Sequence, residues 1–155
     1  MTPTQRVTRH AVVSWNEAYA LGLQEIDDQH RMLFELINDL WEHLVRHSPT
    51  SEVLHTLTEL EKYTLTHFIA EETFMRVTRY AGFDEHKAQH GRFVERVAAE
   101  KLALLGGREL GFEVLTFLKD WLVDHILVSD KAYADATQPK APVPGFWRRF
   151  FGRLG

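Results

Sequence analysis

The chain has 155 residues, 45% of them apolar, and a formal charge of −4 at neutral pH. That length supports one domain with a substantial core, and the charge balance argues against nucleic acid as a partner. Cysteine is absent, which removes disulfides, iron–sulfur clusters and thiolate zinc sites, so any metal must be held by His, Asp and Glu.

In chain order, residues 1–26 read as a largely irregular arm, with Trp15, Tyr19 and Leu21 available to pack on the helices beyond it. The opening MTPTQRVTRHAVV has no apolar stretch of the signal-peptide kind, and no segment reaches roughly 18 apolar residues in a row, so a cytoplasmic location is expected. Four helical stripes come next. His30, Leu33, Phe34, Ile37, Leu40, Trp41 and Leu44 form the first, stopped by Ser48-Pro49. Leu57, Leu60, Thr64, His67, Phe68, Glu71 and Met75 form the second, which ends before Gly82. Asp84 is placed to cap the third, whose stripe is His86, His90, Phe93, Val94, Val97 and Leu104, closed by Gly106-Gly107. Leu115, Leu118, Leu122 and His125 form the fourth. No segment sustains strand alternation, and the connections are short. The expected fold is all-α: an up-down-up-down four-helix bundle, with residues 1–136 as its domain.

Residues 137–145, TQPKAPVPG, read as a proline-rich linker. In the adjoining FWRRFFGRLG, Phe146, Trp147, Phe150, Phe151 and Leu154 share one side of a helical wheel and Arg148, Arg149 and Arg153 the other. This is a short basic amphipathic extension. Two expectations stand for residues 146–154: docking on a membrane surface or a protein, or packing back on the bundle.

The bundle stripes carry an unusual cargo. An i, i+4 step turns about 400° on a helix, so His67 and Glu71 share a face, as do His86 and His90. With His30 and His125, five histidines and a glutamate project toward one axis. A single histidine on an apolar face is more often a satisfied core residue than a ligand. Burying this many polar groups costs several kcal/mol, of the order of a few per unpaired group, unless each finds a partner, and few other partners stand in the stripes. His43 and His47 repeat the i, i+4 spacing off the stripe and read as solvated, while His10 and His55 have no ligand-like company. Glu72 and Asp124 adjoin these positions and read as solvated surface. Asp130, five residues after His125, leaves two placements open. A regular helix puts it about 140° from His125, as a solvated aspartate; a local π-bulge swings it back beside the histidine.

The stretches IDDQH (26–30), HFIAEE (67–72), HKAQH (86–90) and HILVSD (125–130), with SWNEAYALG near residue 14 and the Trp-Leu before His125, resemble the hemerythrin family in its single-domain bacterial form. The resemblance covers about residues 13–133. It implies a di-iron centre, oxo- or hydroxo-bridged, in which His86, His90 and His125 hold one iron, His30 and His67 hold the other, and Glu71 and Asp130 bridge them. With those bridges, one of the about twelve positions of two octahedral irons stays open, on the two-histidine side. The resemblance further implies reversible binding of O2 there, for carriage, storage or delivery, by a protein that is not an enzyme. Leu122, one turn before His125, is expected to cover the open position. Other di-iron bundles use carboxylate-rich ligand sets, whereas five neutral imidazoles against two carboxylates favour ferrous iron. Two alternatives stand beside this reading: an oxygen or redox sensor or adaptor, and a di-iron enzyme that removes peroxide or NO. A monomer is the expected oligomeric state.

Overall fold

The computed structural model describes residues 11–137; residues 1–10, His10 among them, and everything from 138 onward, with the rest of the linker and the amphipathic extension, lie outside the described residues, while Thr137, expected to open the linker, is still helical. Among the described residues every regular element is helical. A 3₁₀ turn, Glu17–Tyr19, precedes α1 (Gln24–Val45), α2 (Thr50–Val77), α3 (Phe83–Leu105) and α4 (Phe112–Asp124). A π segment, His125–Asp130, continues α4 without a break into α5 (Lys131–Thr137). α1 packs on α2 and α4, α2 on α3, and α3 on α4, so the four long elements close a square. This is the four-helix bundle that the stripes predict.

The helix ends differ in detail from expectation. α1 begins at Gln24, inside the expected arm, because Asp27 accepts a hydrogen bond from the Leu21 amide at 2.9 Å and so ties the incoming chain to the first turn. Asp84 is not the cap of α3. Gly82 holds that position, and Asp84 with Glu85 occupies the first turn, where negative charge offsets the helix dipole. α1 ends through His47 at φ +52°, α2 through Arg79 at φ +54° and α3 through Gly107 at φ +94°. Only the last of these is a glycine, the residue that adopts left-handed backbone without strain.

The arm is ordered from Val12 onward by a single side chain. Asn38 of α1 accepts from the Val12 and Val13 amides at 2.9 and 3.1 Å and donates to the Val13 carbonyl at 2.8 Å. Trp15 and Tyr19 then pack on Phe34, with ring centroids 6.1 and 5.2 Å away, and Leu21 is buried, as expected for all three.

The core comes in two apolar clusters. The larger runs along the bundle through Leu33, Phe34, Ile37, Leu57, Leu60, Phe93, Leu115, Leu118 and Leu122. The smaller, at one end, holds Leu21, Leu23, Ile26, Phe74, Met75 and Tyr133. Three of the polar inward residues fall between members of the two clusters in sequence: His30 between Ile26 and Leu33, Glu71 between Phe68 and Phe74, and Asp130 between Ile126 and Tyr133. A polar layer is thereby sealed on both sides by hydrocarbon.

Candidate metal centre

His30, His67, Glu71, His86, His90, His125 and Asp130 are all buried, none more than 5% exposed. α1 supplies His30, α2 His67 and Glu71, α3 His86 and His90, and the π segment both His125 and Asp130. The π geometry settles the choice left open for Asp130. Its wider turn brings the side chain to the same interior as His125, while Val128 in the middle of the segment faces outward.

The donor atoms sort into two groups, in each of which they lie within 4.8 Å of one another: Glu71, His86, His90, His125 and Asp130, and His30, His67, Glu71 and Asp130. The carboxylates divide their oxygens between the groups. Asp130 Oδ1 lies 3.1 Å from His86 Nε2 and 3.2 Å from His125 Nε2, whereas Oδ2 lies 3.0 Å from His30 Nε2. Glu71 Oε2 lies 3.2 Å from His90 Nε2, whereas Oε1 lies 3.0 Å from His67 Nε2. Each carboxylate thus spans a three-histidine set and a two-histidine set.

These contacts are charge contacts without hydrogen-bond alignment. Both oxygens of Asp130, Oε2 of Glu71 and both ring nitrogens of His30 are buried with no aligned hydrogen-bond partner. So many orphaned groups at one place need another occupant. The imidazoles say the same. His90 Nδ1 lies 3.0 Å from Glu72 Oε1. A carboxylate here can only accept, so Nδ1 donates and the bare lone pair of Nε2 points inward. His125 Nδ1 donates to Gln89 Oε1 at 3.0 Å, which also turns its Nε2 inward. The two Nε2 atoms then face each other at 3.1 Å, and His125 Nε2 faces His86 Nε2 at the same distance. Nitrogens that close need a proton or a metal cation between them. Donors on neighbouring corners of an octahedron with bonds of about 2.1 Å are ~3.0 Å apart, against ~3.4 Å for a tetrahedron. The donor spacings, 3.0 to 3.6 Å, span both values, and it is the five donors of the first group that exceed the four of tetrahedral zinc.

Three acceptors outside the ligand set obey one rule. Gln29 on α1 receives His67 Nδ1 of α2, Glu72 on α2 receives His90 Nδ1 of α3, and Gln89 on α3 receives His125 Nδ1 of the π segment. Each adjoins an inward residue in sequence, and so sits about 100° round its helix, facing the neighbouring one. Glu72 is thus not plain solvated surface, contrary to expectation. Asp124 is exposed, as expected. His55 and His47 are exposed, but His43 is half-buried, with Nδ1 3.0 Å from Ser48 Oγ. Gln89 does more: its Oε1 also accepts from the Ser129 hydroxyl at 2.5 Å, so one side chain holds the π segment at His125 and again beside Asp130. Aromatic rings fix the imidazoles from outside the layer. Phe68 stacks on His90 at 3.7 Å and Trp121 on His125 at 4.5 Å. Tyr133, fully buried, donates to Glu71 Oε1 at 3.4 Å.

Charge inside the layer is balanced by proton sharing. Burial alone would lower the histidine pKa values, but for His30 and His86 the nearby Asp130 and Glu71 outweigh it and push both up to about 9. Against the desolvation that would raise them, the surrounding imidazoles hold Glu71 and Asp130 below the ordinary carboxylate range. Burial keeps His125 below its usual value and Tyr133 well above. Two raised imidazoles make metal loading proton-coupled. They are charged below pH about 9, and a cation must displace those protons. Anaerobic titration with ferrous iron at pH 7 releases roughly two protons per chain from this pair, and iron affinity climbs as pH rises toward 9. A pH-stat reads both; loading without proton release would contradict the assignment. The metal-free fold has the opposite dependence. The stabilisation from His30 and His86 is complete below the free-histidine value of 6.5 and is lost as pH rises through about 9.

The Hemerythrin HHE cation binding domain profile matches residues 21–136. The chain belongs to the hemerythrin family. It is 35% identical over 139 residues to a bacteriohemerythrin of Stenotrophomonas maltophilia, covering 89% of this chain and 88% of that protein. A bacteriohemerythrin of Pseudomonas aeruginosa strain LESB58 is 34% identical over 151 residues, covering 89% of this chain and 97% of that one. A solved wild-type hemerythrin superposes with a TM-score of 0.75 at 34% identity, over 81% of this chain and 97% of the other. The hemerythrin domain binds a di-iron centre, and all seven predicted ligand residues lie inside the matched span. No helix among the described residues is long and apolar enough to cross a membrane.

Proposed function

We propose that this hemerythrin-family chain binds dioxygen reversibly at its di-iron centre and serves as a carrier or store. In this reading His86, His90 and His125 would hold one iron, His30 and His67 the other, and Glu71 and Asp130 would be shared between them. The observation that carries it is the division of the two carboxylates between a three-histidine set and a two-histidine set. One side is short by a ligand, and a small molecule can bind there without displacing a protein side chain. A di-iron centre held by these residues would supply the two electrons that reversible dioxygen binding needs.

The protein's own part is exclusion and orientation. The bundle keeps water from the layer with Leu33, Phe68, Leu122 and Phe74, each 3% exposed or less. Dry walls oppose the escape of reduced oxygen species and the entry of protons that would make reduction irreversible. Leu122 stands one turn before His125 on the buried face of α4 and is assigned the covering role. The Nδ1 hydrogen bonds fix their imidazoles in the orientation the metal needs.

The test is gas exchange. Ferrous protein is loaded anaerobically, exposed to oxygen and then purged, with the gas followed by an oxygen electrode. One dioxygen taken up per two irons and returned on purging supports carriage. Oxygen consumed and not returned, or fast turnover of hydrogen peroxide with an electron donor, would replace this reading with an enzymatic one.

A further inference from the structure

The three Nδ1 acceptors are chemically unequal. Gln29 and Gln89 offer neutral amide oxygens to His67 and His125. Glu72 alone offers a carboxylate, 3.0 Å from His90 Nδ1, and its side chain is 17% exposed. His90 belongs to the three-histidine set. Its ring is clamped under Phe68 at an interplanar angle of 4°, so the imidazole cannot turn away from that carboxylate. On the two-histidine side, His30 Nδ1 is buried without a hydrogen-bond partner and His67 has only the amide. Among the Nδ1 acceptors the negative charge is therefore on one side of the centre; Asp27, the buried carboxylate near His30 on the other side, accepts from the Leu21 amide and not from a ligand imidazole. A carboxylate accepting from Nδ1 draws the proton outward and makes Nε2 a stronger donor, which favours the more highly charged metal ion.

We propose that Glu72 is a positioning residue that gives the three-histidine iron the lower reduction potential of the two. In half-oxidised protein the ferric ion then lies with His86, His90 and His125, and the ferrous ion stays with His30 and His67, on the side that is short of a ligand. Each step is a one-electron change between ferric and ferrous iron. The electron comes from the mediator in the titration, and the Nδ1 proton stays on His90. The inference rests on the ligand assignment proposed above but needs no oxygen.

The test is an anaerobic, mediator-coupled optical redox titration of full-length protein, with iron counted per chain. Glu72→Gln keeps an acceptor of the same shape and removes the charge. It raises the lower midpoint by the equivalent of about a tenfold change in ferric-over-ferrous affinity, ~59 mV for one electron, and leaves the upper midpoint in place. Gln29→Glu, the reverse change on the other side, lowers the upper midpoint toward the lower one. A purely structural role for Glu72 would move iron content or melting temperature and leave the midpoints alone. Unshifted midpoints in loaded Glu72→Gln overturn the proposal. If that variant fails to hold two irons, Gln29→Glu decides, and an unshifted upper midpoint there overturns it. Wild-type protein with fewer than two irons per chain would sink the ligand assignment itself and this inference with it. Intact two-iron midpoint behaviour alongside irreversible oxygen uptake would sink only the carrier reading.

Discussion

Glu71→Ala loses two-iron loading and lowers the thermal midpoint by roughly 10 °C. The carboxylate is fully buried, and its oxygens reach histidines on both sides of the polar layer, His90 at 3.2 Å and His67 at 3.0 Å. Truncation removes a donor from each set at once. It also leaves the His30 and His86 imidazoles, both raised to about 9, with Asp130 as the remaining carboxylate in contact with both. Removing one partner from a buried charge pair costs about 3–5 kcal/mol, and each kcal/mol is worth about 2–4 °C in a domain of this size. Glu71→Gln separates the two effects. It refills the space and recovers part of the melting temperature, but its single carbonyl oxygen cannot serve both sets, so the second iron is still lost. Iron counted per chain and scanning calorimetry check both. Two irons retained in Glu71→Ala would show that Glu71 is not a bridging ligand.

Leu122→Ala speeds autoxidation of the oxygenated protein about tenfold, the effect of taking about 1.4 kcal/mol off the barrier, and destabilises the fold by about 2–5 kcal/mol. Leu122 is 3% exposed and joins the main apolar cluster on the side of α4 that leads to His125. Shortening it opens a path for water to the centre, and in the proposed function the oxygenated state depends on dryness. Leu122→Met refills the volume and is expected to behave close to wild type, which separates access from general loosening. An unchanged autoxidation rate in the alanine variant would remove Leu122 from the oxygen pocket.

The bundle and most of the centre are legible as a pattern, because both rest on helical periodicity. His67 with Glu71 and His86 with His90 read as ligands because their spacing coincides with an apolar stripe. His43 and His47 share the spacing but not the stripe, and neither is buried. Asp130 is the limit of that logic. Its place depends on a π segment, and that segment is held by Gln89 of another helix, which takes hydrogen bonds from His125 and Ser129 together. Spacing within one helix cannot report a contact made across two. Glu72 escapes the pattern for the same reason: an acidic residue beside a buried one reads as surface until the neighbouring helix brings His90 to it. Gln29, Glu72 and Gln89 nonetheless share a readable sign, each adjoining a buried ligand residue on its own helix. Tyr133 carries no such sign, because its role depends on how α5 leaves the π segment toward Glu71. The Asp84 cap fails locally, since α3 starts one residue before it at Phe83, with Gly82 as its cap.

The most direct test of the central claim is an optical spectrum of anaerobically reduced, iron-quantified protein, recorded before oxygen, after oxygen and again after evacuation. Expected are two irons per chain, a nearly colourless reduced form, a visible charge-transfer band that appears with oxygen, and return of the first spectrum under vacuum through repeated cycles. Immediate conversion to a stable ferric spectrum that evacuation does not reverse would contradict it.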